Sequence, residues 1–156
     1  MFIYYLFIII INYHIFNILE YFLHKASHDI RFRRLYNWHK YHHTVEFPPC
    51  RLIYNNHTGP PIYENVFLQI ALCFLAILYF LLSRDIYYIV FSETILLMKV
   101  DDYLHTSYHK DNSYLENYQW FKELKQKHLL HHKQMSYNFN LGNPSTDIIL
   151  QTIKYT

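Results

Sequence analysis

The chain has 156 residues, of which 52% are hydrophobic, 20% aromatic and 17% charged, with a formal net charge of +2. That length fits a single domain, 1–156, with ample apolar surface to bury. So small a positive charge, with no basic stripe interleaved with aromatics, argues against a nucleic-acid partner. Cys50 lies in a polar loop and Cys73 inside an apolar run, which makes neither a disulfide framework nor a paired-thiolate metal site.

The apolar residues come in continuous runs rather than in the alternating patterns of a soluble fold. Residues 2–23 are long enough to cross a bilayer as a retained anchor, with Asn12, His14 and Asn17 as polar interruptions that must face protein or a cavity. A polar segment, 24–64, follows. It holds a predicted helix over 32–45 and then turn punctuation at Pro48, Pro49 and Gly59. Two greasy runs, 66–82 and 86–99, flank a polar break at 83–85 and predict a transmembrane hairpin whose second arm continues as helix toward His109. Apolar residues at helical intervals among lysines predict a peripheral amphipathic helix over 115–134, and the tail from Ser136 reads as loop. The expected fold is therefore all-α, an integral-membrane bundle of about three membrane-embedded helices with a histidine-rich cap, 24–64 and 100–156. Charge sets its orientation. Arg84 is the single basic residue at the hairpin turn and the other thirteen lie on the opposite side, which the positive-inside rule places in the cytosol. Tyr79, Tyr87 and Tyr88 flank the turn as an interfacial belt would.

Ten of the twelve histidines form four clusters: His24-Lys-Ala-Ser-His28, His39-Lys-Tyr-His42-His43, His105-Thr-Ser-Tyr-His109 and His128-Leu-Leu-His131-His132. Residues three and four apart share a helix face, their β-carbons about 5–6 Å apart, so two imidazoles there can converge on one ion. A lone HxxxH is most often an ordinary surface feature, but four clusters in a doubled order are not. Ten imidazoles exceed the shell of one ion, so two ions are implied. Imidazole suits iron, zinc, copper and nickel alike. So many ligands, where hydrolytic zinc normally uses three, favour redox chemistry.

The order and spacing of these clusters resemble the fatty acid hydroxylase superfamily, which includes sterol desaturases, methyl-sterol oxidases and sphingoid-base and fatty acid 2-hydroxylases. The run Leu-Tyr-Asn-Trp-His-Lys-Tyr-His-His over 35–43, the His-Leu-Leu-His-His-Lys of 128–133, and the Tyr-Asn-Phe-Asn-Leu-Gly of 137–142 followed by Asp147 carry the likeness. It extends from about His14 to the last residue. Where members often have Gly-Thr after the aspartate segment, this chain has Gln151-Thr152.

The resemblance implies that all ten clustered histidines are metal ligands and that the cofactor is two iron ions, with zinc an occupant in purified protein. It further implies O2 as co-substrate, a membrane lipid as substrate, and electrons from a separate cytochrome b type carrier and its reductase. The setting it implies is the endoplasmic reticulum membrane. Hydroxylation and desaturation then differ in whether oxygen is returned to the carbon or a second hydrogen is lost.

Helical phase adds secondary candidates. Glu20, four residues before His24, and Asp102, three before His105, could each accept a hydrogen bond from a ligand's second ring nitrogen. His14 is about 15 Å from His24 along a helix, too far for the same ion; it and Glu93, an acid within the second hairpin arm, are expected to line a substrate channel. His57 is expected to have no role. The competing functions are an acyl-lipid desaturase of a related histidine-box class and a noncatalytic zinc-binding or zinc-transport protein. Transport would need ligands inside the spans, where only His14 and Glu93 lie.

Overall fold

The computed structural model describes residues 2–54 and 65–155, so His57 lies outside the described residues. Helix α1, Phe2–Ser27, is 26 residues long, or about 39 Å. It is the one described helix both long and apolar enough to cross a membrane, and only 11% of its most apolar window is buried. A core helix of a soluble protein would hide most of such a stretch; this one presents Ile3, Phe7, Ile10, Ile18 and Phe22 outward.

The predicted helix over 32–45 divides into three parts: a 3-10 turn, Ile30–Phe32, helix α2, Arg33–Tyr41, and a wide π-type turn, His42–Glu46. Asp29 caps the first through the Arg31 amide at 2.9 Å, and the last closes when the Phe47 amide donates to the His42 carbonyl at 2.9 Å. Helix α3, Val66–Leu81, starts at Asn65, whose side chain accepts from the Leu68 amide at 3.1 Å. It is apolar but only 16 residues long. Helix α4, Arg84–Tyr108, is long enough but carries Glu93, Lys99, Asp101 and Asp102.

The polar residues of α1 set its register against α4. The Tyr5 hydroxyl donates to Asp85 at 3.0 Å and the Asn12 amide donates to Glu93 at 2.8 Å, offsets of 80 and 81 residues. The two helices therefore run parallel and in step. The same offset brings His24 level with His105 (105 − 24 = 81) and His28 level with His109 (109 − 28 = 81). Tyr79 meets Tyr87 edge-on, centroids 5.2 Å apart, across the tight connection between α3 and α4.

The predicted helix over 115–134 is a 3-10 turn, Tyr114–Asn117, and then α5, Gln119–Lys133. It is less peripheral than its lysines suggest. Phe121 is fully buried in a cluster with Leu104 and Tyr108, and the half-exposed face carries the remaining lysines.

The tail is not the plain loop expected from Ser136 onward. It doubles back along α1 and includes a short helix, α6, Ser145–Ile149. Side-chain hydrogen bonds from Asn17 to Ser145 (2.8 Å) and from Asn143 to Tyr13 (2.7 Å) hold it there, which an alternation pattern cannot reveal. Gly142 allows this approach, because a β-carbon there would lie 2.9 Å from Asp101 Oδ1. Gln151 has φ 56°, in the left-handed region that favours glycine. A glycine there should therefore raise stability: Gln151→Gly is expected to gain about 1 kcal/mol in thermal unfolding in detergent, and no gain would mean the surroundings already compensate.

Candidate metal centre

The ten clustered histidines meet between the ends of α1, α2, α4 and α5 and sort into two sets of five. One set is His24, His28, His39, His43 and His131; the other is His42, His105, His109, His128 and His132. Within each set the ligand nitrogens all lie within 4.8 Å of one another. Each HxxxH pair stays together, and each HxxHH triplet divides. Positions i and i+4 turn to one set, while the middle histidine, His42 or His131, crosses to the other.

These contacts are not ordinary hydrogen bonds. His39 Nε2 has three neighbours, the Nε2 atoms of His24, His28 and His43, at 3.1, 3.0 and 2.9 Å. One ring nitrogen has a single proton or lone pair and cannot satisfy three partners. In the other set, His42 to His105, His109 to His128 and His128 to His132 are 3.1, 3.0 and 3.1 Å apart. At an imidazole-to-ion distance of about 2.1 Å, ligands at right angles are about 3.0 Å apart and tetrahedral ones about 3.4 Å. The donor set fits a transition-metal ion, which the five imidazoles of each set would hold.

Backbone carbonyls orient four of the outer ring nitrogens. His24 Nδ1 donates to the Phe139 carbonyl, His131 to Tyr137 O at 2.7 Å, His109 to Leu52 O at 2.9 Å and His132 to Phe47 O at 3.3 Å. These bonds leave Nε2 free to coordinate. His42 Nδ1 pairs with the Glu46 carboxylate at 3.1 Å, four residues further along the chain. Sequence reasoning missed Glu46, although the i,i+4 spacing that singled out Glu20 was available for it. Phe47, 1% exposed, stacks on His109 with centroids 3.6 Å apart.

Burial keeps the rings neutral. It pushes His39, His42, His128 and His131 well below the usual histidine value, and neighbouring imidazoles push the same way. His28 is lowered by burial to about 4, and His132 by burial and then His105 to about 3. Neutral imidazole is the form that binds metal.

The secondary candidates fare differently. The Glu20 carboxylate accepts from the Leu141 amide (2.6 Å) and the Asn140 side chain (3.0 Å), while the His24 ring it was expected to orient is held by Phe139. Glu20 thus secures the segment that secures His24. His14 is exposed on α1 and absent from the cavity wall, a correction to its expected place: the returning tail reaches Tyr13 but does not cover it. Glu93 is likewise off the wall and accepts from Asn12, whose own side chain is on it. Asp102 lies exposed at the cavity margin near His105.

That cavity has a volume of about 240 Å³ and runs between α1, α2, α3 and α4. Leu75, Leu78, Phe74, Val90 and Ile15 line it, and His24 and His39 of one set and His105 of the other reach its wall. From Asn12 to His24 it follows twelve residues of α1, about 18 Å.

A helical scaffold holding two five-imidazole sets beside an apolar cavity defines a histidine-box protein with the ligands for two metal ions. The sequence model of the fatty acid hydroxylase family matches residues 9–152, and the chain belongs to that family. Its members are metal-dependent oxidoreductases that act on lipids. No curated protein and no solved structure matches the chain.

Proposed function

We propose that the protein hydroxylates or desaturates a membrane lipid, a sterol, fatty acyl or sphingoid chain, at a centre of two nonhaem iron ions. The observation that carries this is the cavity, an apolar passage along the presumptive span whose wall includes imidazoles of both sets. Such ions, when bound, supply activation of dioxygen with two electrons from a separate cytochrome b type carrier and its reductase. The protein's own residues do the rest. Phe74, Leu75, Leu78 and Val90 bind the chain by burying it and excluding water. His24 and His105 bring both sets to the same end of that passage. Phe139 fixes His24, which meets the passage, while Tyr137, Leu52 and Glu46 fix His131, His109 and His42 of the two sets.

Five imidazoles per set, more than the four ligands of tetrahedral zinc, support iron over zinc. The setting that goes with this reading is a three-element membrane bundle in the endoplasmic reticulum, its histidines facing the cytosol. The test compares protein from iron-supplemented cells with His42→Ala and His131→Ala, one exchanged ligand from each set. The parent should hold about two irons per chain, both variants less, and lipid extracts from parent cells alone should contain a chain with an added oxygen or a new double bond. Firmly bound zinc with no lipid product would overturn the oxygenase reading.

A further inference from the structure

We propose that the returning C-terminal segment, residues 140–150, is a membrane-embedded hook, with Ile148, Ile149 and Leu150 set against lipid acyl chains beside α1. This departs from the expectation that all of 100–156 is a cytosolic cap. It requires only that α1 cross the bilayer, and it holds whether or not the chain oxidises a lipid.

Depth is the first observation. Asn17, bonded to Ser145 and Thr146, lies seven residues before His24, about 10 Å deeper along α1, and Asn143 reaches Tyr13, deeper still. Exposure is the second. Ile148, Ile149 and Leu150 are 54%, 76% and 43% exposed, on a segment packed against α1, which itself exposes Ile18 and Phe22. No charge accompanies them: across residues 134–153 the only charged side chain is Asp147, which is 1% exposed and turned inward.

The third observation is that several of the hook's backbone amides are paired within the protein. Irregular backbone survives at membrane depth only where its polar groups are paired within protein. The Asp147 carboxylate accepts from the Phe139 and Asn140 amides at 3.0 and 2.8 Å, and its carbonyl accepts from Thr152 and Ile153 at 2.8 and 3.2 Å. The Leu141 amide donates to Glu20, Ser145 to Asn143, Ile148 to Pro144 and Leu150 to Thr146. Three exposed aliphatic residues in a row suit a lipid-facing tip better than a water-facing one.

The experiment places an environment-sensitive fluorophore on Ile149→Cys, in a chain carrying Cys50→Ser and Cys73→Ser, reconstituted in phosphatidylcholine vesicles. A second label on Tyr155→Cys, past the hook, reports the water-exposed side. Lipid brominated on its acyl chains should quench the label at 149 more than iodide does, with the reverse order at 155. Quenching at 149 mainly by iodide would show the hook in water, and quenching by neither would show it covered by protein; either result overturns the proposal. If Ile149→Cys loses helical content, Leu150→Cys carries the same test.

Discussion

Replacing Asp147 by alanine should cost about 3–5 kcal/mol of stability, because it strips acceptors from several buried donors at once. The carboxylate holds the Phe139 and Asn140 amides and the Thr152 hydroxyl, the last at 2.7 Å. Each donor left buried and unpaired costs about 1–3 kcal/mol. The loss should not stop at stability. Tyr137 and Phe139 orient His131 and His24 through their carbonyls, so the set containing those two rings should lose metal while the other retains more of it. Denaturant unfolding in detergent and elemental analysis of the same preparations would check both parts. A change below about 1 kcal/mol with full metal content would show that the segment holds its shape without the aspartate.

Acid should dismantle the centre. The rings of His28 and His132 are depressed to about 4 and about 3, and the more deeply buried rings fall well below their ordinary value too. Below about pH 6.5 the unfolded chain therefore takes up protons that the folded chain refuses, so stability rises with pH in that range. The contribution is fully present above about pH 6.5 and is lost as the pH falls through the folded values. The melting temperature should be flat near neutrality, fall from about pH 6.5 downward and be accompanied by release of metal. Metal content unchanged well below about pH 3 would rule out ligation by histidine.

The histidine clusters were legible in the sequence because helical spacing is a local property: His24 with His28, and His128 with His132, need only one helix to be brought together. Their division into two sets was not legible. Whether His42 joins His39 or His105 depends on the wide turn at His42–Glu46 and on how four helices meet, neither of which a spacing rule encodes. Glu20 was misassigned for the same reason. Its phase beside His24 was right, but its partners Asn140 and Leu141 arrive from 120 residues away. His14 shares nearly the phase of buried Tyr21, two turns on, yet no returning chain covers it. The hydrophobic runs did locate α1, α3 and α4, because continuous apolarity over such lengths has few other meanings.

The exchange of His42 and His131 would give bound ions a second role, as cross-links. Cys50 and Cys73 are free and exposed, so no disulfide between them ties the chain. Residues up to 54 supply four rings to one ion and His42 to the other; residues from 105 onward supply four to the second and His131 to the first. Between nearest ligands of the two halves, one ion would close a loop of 88 residues (131 − 43) and the other a loop of 63 (105 − 42), and closing loops of that length removes much of the freedom of the unfolded chain. The halves would be stapled twice, in opposite directions, at the end of the bundle where α1 and α4 stop.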